Sequence, residues 1–78
     1  MHIMVKVKLY GDLKKYAPGD HNQFSMSLEP GATLGCVCRM LSMQKGDHVS
    51  LINGRRSEQD EKLADRDTLV FIPQISGG

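Results

Sequence analysis

The sequence predicts an α+β domain, a mixed sheet of four to five strands with one main helix packed across one face, and three stretches carry that prediction. From Ile3 to Leu9 the apolar residues Ile3, Val5, Val7 and Leu9 alternate with Met4, Lys6 and Lys8, the period of a half-buried strand. Leu34, Val37, Cys38 and Leu41 recur at i, i+3, i+4 and i+7, which places them on one face of a helix. Thr68-Leu69-Val70-Phe71-Ile72 is a continuous β-branched and aromatic run, the pattern of an interior strand covered on both faces.

The elements between these anchors follow from turn chemistry. Gly11-Asp12 breaks the first strand, Leu13 and Tyr16 form the apolar edge of a short helical turn, and Pro18-Gly19-Asp20 reads as a second turn. Phe24, Met26 and Leu28 alternate with Gln23, Ser25 and Ser27 in a second strand that ends at Glu29-Pro30-Gly31, so the first two strands read as a hairpin. Thr33 is placed as the N-cap of the helix and Lys45-Gly46 as its stop. Gly35 sits in the first turn at a cost of about 1 kcal/mol relative to Ala, so the helix depends on packing against the sheet. Val49 and Leu51 alternate with Ser50, and Asn53-Gly54 marks a type I′ turn, whose two central positions need positive φ. The pattern leaves the side of Ile52 open. Ser57 to Lys62 is polar and looped, Leu63 is an isolated anchor, and Asp65-Arg66-Asp67 makes the last turn. The final strand is expected to pair parallel to the first and to end at Pro73. Residues 1–73 thus form the domain and 74–78 a flexible C-terminal tail ending in Gly77-Gly78.

Composition narrows the function. The 78 residues are one domain near the size at which a single core barely offsets folding entropy. Ten Lys+Arg against nine Asp+Glu leave a net charge of +1, and two Phe, two Tyr and no Trp offer few rings for stacking bases, so neither nucleic acid nor an anionic membrane is the expected partner. Charge interrupts the N-terminal residues too early for a signal peptide and no stretch approaches a membrane span, which predicts a cytoplasmic protein.

Cys36 and Cys38 point about 200° apart on an α-helix, so they do not converge on one ion. With His2, His21 and His48 in separate segments, no metal site is expected. Cys38 reads as core and Cys36 as partly exposed. Val70 and Ile72 point away from Leu69 and Phe71. They form either a hydrophobic contact site on the helix-free sheet face or a surface covered by loops. Arg55, just after the hairpin turn with Arg56, reads as a docking residue for an acidic partner or as part of a solvated turn.

Gly31-Ala32-Thr33-Leu34, Ile52-Asn53-Gly54-Arg55, and Leu63-Ala64-Asp65-Arg66-Asp67 leading into Phe71-Ile72-Pro73-Gln74-Ile75-Ser76-Gly77-Gly78 together resemble the MoaD/ThiS sulfur carriers. Gly11-Asp12-Leu13-Lys14-Lys15-Tyr16 and the Phe-Ile-Pro run look closer to the small subunit of molybdopterin synthase than to the thiamine carrier. Arg66 departs from the pattern, since a Gly usually lies there, as do the two helix cysteines. The resemblance implies a ubiquitin-like β-grasp fold and a non-enzymatic carrier. In that family's logic Gly78 is adenylated with ATP by a ubiquitin-activating-like adenylyltransferase and converted to a thiocarboxylate. Gly77, Ser76 and Ile75 give access to the partner's active site, Gly77 because it has no Cβ. No catalytic residue, metal or cofactor belongs to the domain itself, and ATP is used by the activating enzyme. The implied acceptor is a molybdenum or tungsten cofactor precursor, with a larger molybdopterin synthase subunit as second partner. The alternatives are a thiamine-type carrier, a ubiquitin-like modifier joined through Gly78 to lysines, and a β-grasp interaction module that never uses its tail.

Overall fold

The computed structural model describes residues 1–17, 19, 21–43 and 48–74. The chain runs through β1 (Ile3–Leu9), a 3-10 helix (Gly11–Tyr16), β2 (Gln23–Leu28), α1 (Leu34–Met40), β3 (His48–Ile52), β4 (Arg55–Arg56) and β5 (Thr68–Pro73). The strands form one sheet in the order β2-β1-β5-β3-β4. β1 and β2 are the expected antiparallel hairpin and β5 lies parallel to β1. β5 is also antiparallel to β3, whose hairpin partner is the two-residue β4. A parallel pair cannot be closed by a tight turn. The chain between β1 and β5, including α1, supplies the long crossover.

Period-2 patterning sorts the side chains. Val5, Val7 and Leu9 of β1, Leu69 and Phe71 of β5, Leu28 of β2 and Ile52 of β3 face α1, whose Leu34, Val37 and Cys38 complete the core with Leu13, Met43 and Leu63. The side of Ile52 is therefore the core side. Leu13 is buried under the 3-10 helix and Tyr16 packs half-buried beside it, as their spacing predicts. The expectation that β5 is covered on both faces needs correction. It is interior within the sheet, between β1 and β3, but its second face is open: Ile72 is 39% exposed and Val70 is half-buried. A long apolar run shows that a strand has two neighbours, not that it has two layers above and below.

α1 differs from its sequence reading at both ends. Thr33 takes the N-cap position, with φ −109° and ψ 168°, but makes no side-chain cap. The first helical amides are held instead by the loop that follows β4: Leu34 N–H donates to Glu61 O (3.0 Å) and Gly35 N–H to Gln59 O (2.8 Å). That contact explains Gly35, because a Cβ there would stand 3.2 Å from the Gln59 carbonyl oxygen. At the other end the helix stops at Met40, well before Lys45-Gly46, which lie outside the described residues. Ser42 turns to φ +60°. Its N–H bonds Arg39 O (3.0 Å), Met43 N–H bonds Cys38 O (2.9 Å), and buried Met43 packs into the same core as Cys38. This is a Schellman cap with serine in the place glycine usually fills. Left-handed backbone costs a non-glycine residue about 1–2 kcal/mol, against about 0.4–1 kcal/mol of unfolded-chain entropy that glycine adds. Ser42→Gly is therefore expected to stabilise the fold by roughly 0.5–1 kcal/mol, read as a higher urea midpoint at unchanged slope.

One polar junction ties the starts of β1 and β5 to the β3–β4 turn. Asn53 (φ 52°) and Gly54 (φ 86°) form the expected turn with positive φ at both central positions. Asn53 Nδ2 donates to Asp67 Oδ1 (2.9 Å), and Asn53 Oδ1 accepts from Thr68 N–H (3.0 Å). Asp67 Oδ2 accepts from Ala64 N–H and Asp65 Oδ1 from Met4 N–H, both at 2.8 Å. Between the two acids Arg66 sits at φ +73°, which explains why glycine suits this position.

Candidate functional site

The site has two parts, the end of β5 and the open sheet face beside it. β5 leaves the sheet from its centre. Leu9 pairs with Phe71 and Tyr10 N–H bonds Phe71 O at 3.1 Å, while His48 pairs with Pro73, so the strand is held by β1 as far as Phe71 and by β3 to its last residue. The chain reverses after β1 through Gly11, at φ +58°, and a Cβ there would come within 2.8 Å of Pro73 Cγ. The glycine is needed both for its backbone angle and for the approach of the proline ring. Gln74 is exposed. Ile75, Ser76, Gly77 and Gly78, the residues to which the sequence assigns access and modification, lie outside the described residues.

The open face gathers residues from three strands. Register places Val49 opposite Ile72 and Leu51 opposite Val70, so the β5 pair continues as a four-residue apolar patch of Val49, Leu51, Val70 and Ile72. Lys8 lies beside Val70, Lys6 beside Thr68, and Arg56 opposite Leu51, which gives the patch a basic surround. Arg55 does not join it. It pairs with Ile52 and is on the helix side of the sheet, although exposed. The sequence reading thus brings Val70 and Ile72 to this face and names Arg56 only together with Arg55, without separating their faces, and it misses Val49 and Leu51. A usable signal was present: a two-residue turn at Asn53-Gly54 pairs Ile52 with Arg55 and Leu51 with Arg56, and residues directly opposite share a face.

The two cysteines diverge as their spacing requires. Cys38 is buried with Sγ 3.5 Å from His48 Nε2, and burial pushes its thiol up. The His48 ring meets Phe71 edge-on at 5.3 Å. Cys36 is half-exposed. The Thr33 hydroxyl (3.4 Å) and then Arg39 Nη2 (3.7 Å) donate toward its sulfur and hold the thiol below its usual range. Among the described residues no group of three or more His, Cys, Asp or Glu is placed to hold a metal, and no helix is long and apolar enough to cross a membrane. What this arrangement offers chemically is an apolar face with basic residues beside it, next to the paired end of β5.

Solved structures show the same fold. H. volcanii small archaeal modifier protein 1 superposes with a TM-score of 0.80 at 19% identity, covering 94% of this chain and 99% of that one. The putative molybdopterin converting factor, subunit 1, from Pyrococcus furiosus gives 0.79 at 20% identity, with 94% and 99% covered. The complex of subunits 1 and 2 of molybdopterin-converting factor from Helicobacter pylori contains a chain that gives 0.65 at 19% identity, with 97% and 100% covered. These neighbours include ubiquitin-like β-grasp proteins, and this chain has that fold. No curated protein sequence matches the chain. The ThiS family profile matches residues 7–78, from the middle of β1 through the terminal Gly-Gly, and the chain therefore belongs to the ThiS family, the ubiquitin-like group of sulfur carriers and modifiers.

Proposed function

We propose that the protein is a sulfur carrier whose Gly78 carboxylate is activated by a separate enzyme and loaded with sulfur for molybdenum or tungsten cofactor synthesis. The observation that carries this reading is that the family match runs through Gly77-Gly78, beyond a central strand paired with β1 as far as Phe71 and with β3 as far as Pro73. A carboxylate is a poor electrophile. An adenylyltransferase that uses ATP converts it to an acyl-adenylate with loss of pyrophosphate, and the terminal sulfur of an enzyme persulfide then attacks the acyl carbon and expels AMP. A second thiol attacks the enzyme-side sulfur of the resulting acyl disulfide, which leaves the thiocarboxylate on Gly78 and a disulfide between the enzyme sulfur and the attacking thiol. The covalent carrier divides one difficult transfer into easier steps.

The domain's part is positioning. The patch of Val49, Leu51, Val70 and Ile72 docks on an apolar surface of the activating enzyme, and Lys6, Lys8 and Arg56 favour an acidic border around that surface. Docking holds the tail near the reacting phosphate. The acceptor assignment is supported by the likeness to a converting-factor subunit 1 and by the Helicobacter pylori complex, in which such a chain is bound to subunit 2. A larger synthase subunit is accordingly the second partner.

Incubation with ATP, a sulfur donor and the cognate activating enzyme should replace one oxygen by sulfur at Gly78, read as the corresponding mass increase of the C-terminal peptide. A terminus left unmodified under conditions that load an established carrier would overturn the reading. The likeness to small archaeal modifier protein 1 favours a second reading, conjugation through Gly78 to lysine. Gly-Gly remnants on cellular proteins would support it.

A further inference from the structure

The surface that the carrier reading does not use lies at the other edge of the sheet. β2 is an edge strand of six residues, Gln-Phe-Ser-Met-Ser-Leu, without charge or proline, and its register against β1 is unbroken by a bulge. Exposed edges are usually blunted by one of those devices, because their unpaired backbone groups recruit another strand. The opposite edge, β4, is only two residues long and both are arginine.

The ladder shows which groups are on offer. Leu9 N–H bonds Asn22 O at 2.8 Å, so the hydrogen-bonded pairs along the register are Val7 with Phe24, Val5 with Met26 and Ile3 with Leu28. The backbone amides and carbonyls of Gln23, Ser25 and Ser27 therefore point away from β1, to the side where no described strand lies. At the C-terminal end of β2, a groove of about 450 Å³ runs from Ser27 and Leu28 past Glu29 and Ala32 to Cys36 and Met40 of α1. Met40 is 59% exposed. On the other face Lys6 stands opposite Ser25 and Lys8 opposite Gln23, with only short or neutral side chains between them and the edge.

We infer that β2 is a strand-addition site for an extended segment of a partner protein that alternates apolar with acidic residues. Successive side chains of an added strand point to opposite faces. The apolar set enters the groove against Met40 and Cys36, and the acidic set lies over Ser25 toward Lys6 and Lys8. Glu29, an acid lining the groove, lies at the C-terminal end of β2 and so directs the acidic residues toward the Gln23 end. A second copy of this chain fits less well, since its own β2 brings no acid to these lysines.

The place of the groove gives the site its use. Because β2 is antiparallel to β1 and β5 is parallel to it, Ser27 and Leu28 lie at the end of the sheet opposite Pro73. The occupant leaves the β5 exit and the apolar residues Val49, Leu51, Val70 and Ile72 uncovered, and it shares only Lys6 and Lys8 with the border of that face. This inference stands whether or not Gly78 carries sulfur.

The test uses the full chain and a synthetic heptapeptide of alternating valine and aspartate, with alternating valine and lysine as the control. Backbone NMR should show saturable shifts at Gln23, Ser25, Ser27, Cys36 and Met40 and slowed amide exchange at the three β2 positions. The lysine peptide should bind at least about tenfold more weakly. Ser25→Pro removes an outward amide while sparing the β1 ladder, and Met40→Asp changes an exposed helix position. Each should weaken binding by about tenfold or more with the β1 amide shifts retained. Shifts confined to the Val70 and Ile72 face, equal affinity for both peptides, or no saturable binding would overturn the inference. So would a concentration-dependent dimer that Ser25→Pro dissolves.

Discussion

Phe71→Ala is expected to remove about 3–5 kcal/mol of stability, the range for truncating a buried phenylalanine. A domain of this size has only about 4–12 kcal/mol to lose, at about 0.05–0.15 kcal/mol per residue, so the variant should be largely unfolded at modest urea. Phe71 has no exposed surface, sits on the central strand opposite Leu9 and Ser50, and meets the His48 ring edge-on. Little around it can collapse into the space without moving β1 or β3. Its neighbour Ile72 gives the contrast. Ile72→Ala should cost under about 1 kcal/mol, since the side chain already keeps much of its contact with water, yet on the proposed function it should weaken docking to the activating enzyme. Urea denaturation of the two variants side by side checks the face assignment. Similar midpoints would show that the two faces of β5 are not divided as described.

The second large effect is expected at Gly11. Gly11→Ala combines two penalties, about 1–2 kcal/mol for an alanine at φ +58° and about 1–3 kcal/mol for forcing a methyl against the Pro73 ring. The closest approach, 2.8 Å to Pro73 Cγ, requires either the ring or the loop to shift. The two contributions separate in a double-mutant cycle with Pro73→Ala. Removing the ring should recover the steric part and leave the backbone part, so the two substitutions together should cost less than their sum. Strict additivity would mean that Gly11 acts through its backbone angle alone. Because Pro73 is the last residue of β5, the contact also sets where the tail leaves the domain. On the proposed carrier function, Gly11→Ala should therefore slow adenylation even at temperatures where the variant is fully folded.

Much of the fold was legible because strand patterning is local. Ile3 to Leu9 and Gln23 to Leu28 alternate cleanly, and each has one buried and one exposed side, so the hairpin and its faces follow from spacing. Asn53-Gly54 states its own turn type. The expected parallel placement of β5 beside β1 is also found, although the apolar run by itself fixes only an interior position and not the strand's direction. At the site, Val70 and Ile72 were legible as the outward pair of β5, but their continuation into Val49 and Leu51 depends on the β3–β5 register, which brings together residues some twenty positions apart.

What the sequence by itself determined is which residues alternate, where turns fall, and a chain order that resembles one family through its Gly-Gly end. What only the tertiary structure decided is non-local. The helix start is satisfied by carbonyls of Gln59 and Glu61 rather than by Thr33, and its end is a left-handed Ser42 that no local pattern marks. Arg56 rather than Arg55 joins the apolar patch because pairing across a turn decides the face. Among the described residues β2 is left as an edge strand because β5 takes the place beside β1. In each case the deciding partner is distant in sequence, and the free energy of a hydrogen bond or a buried contact depends on which group arrives, which spacing along one strand or helix cannot specify.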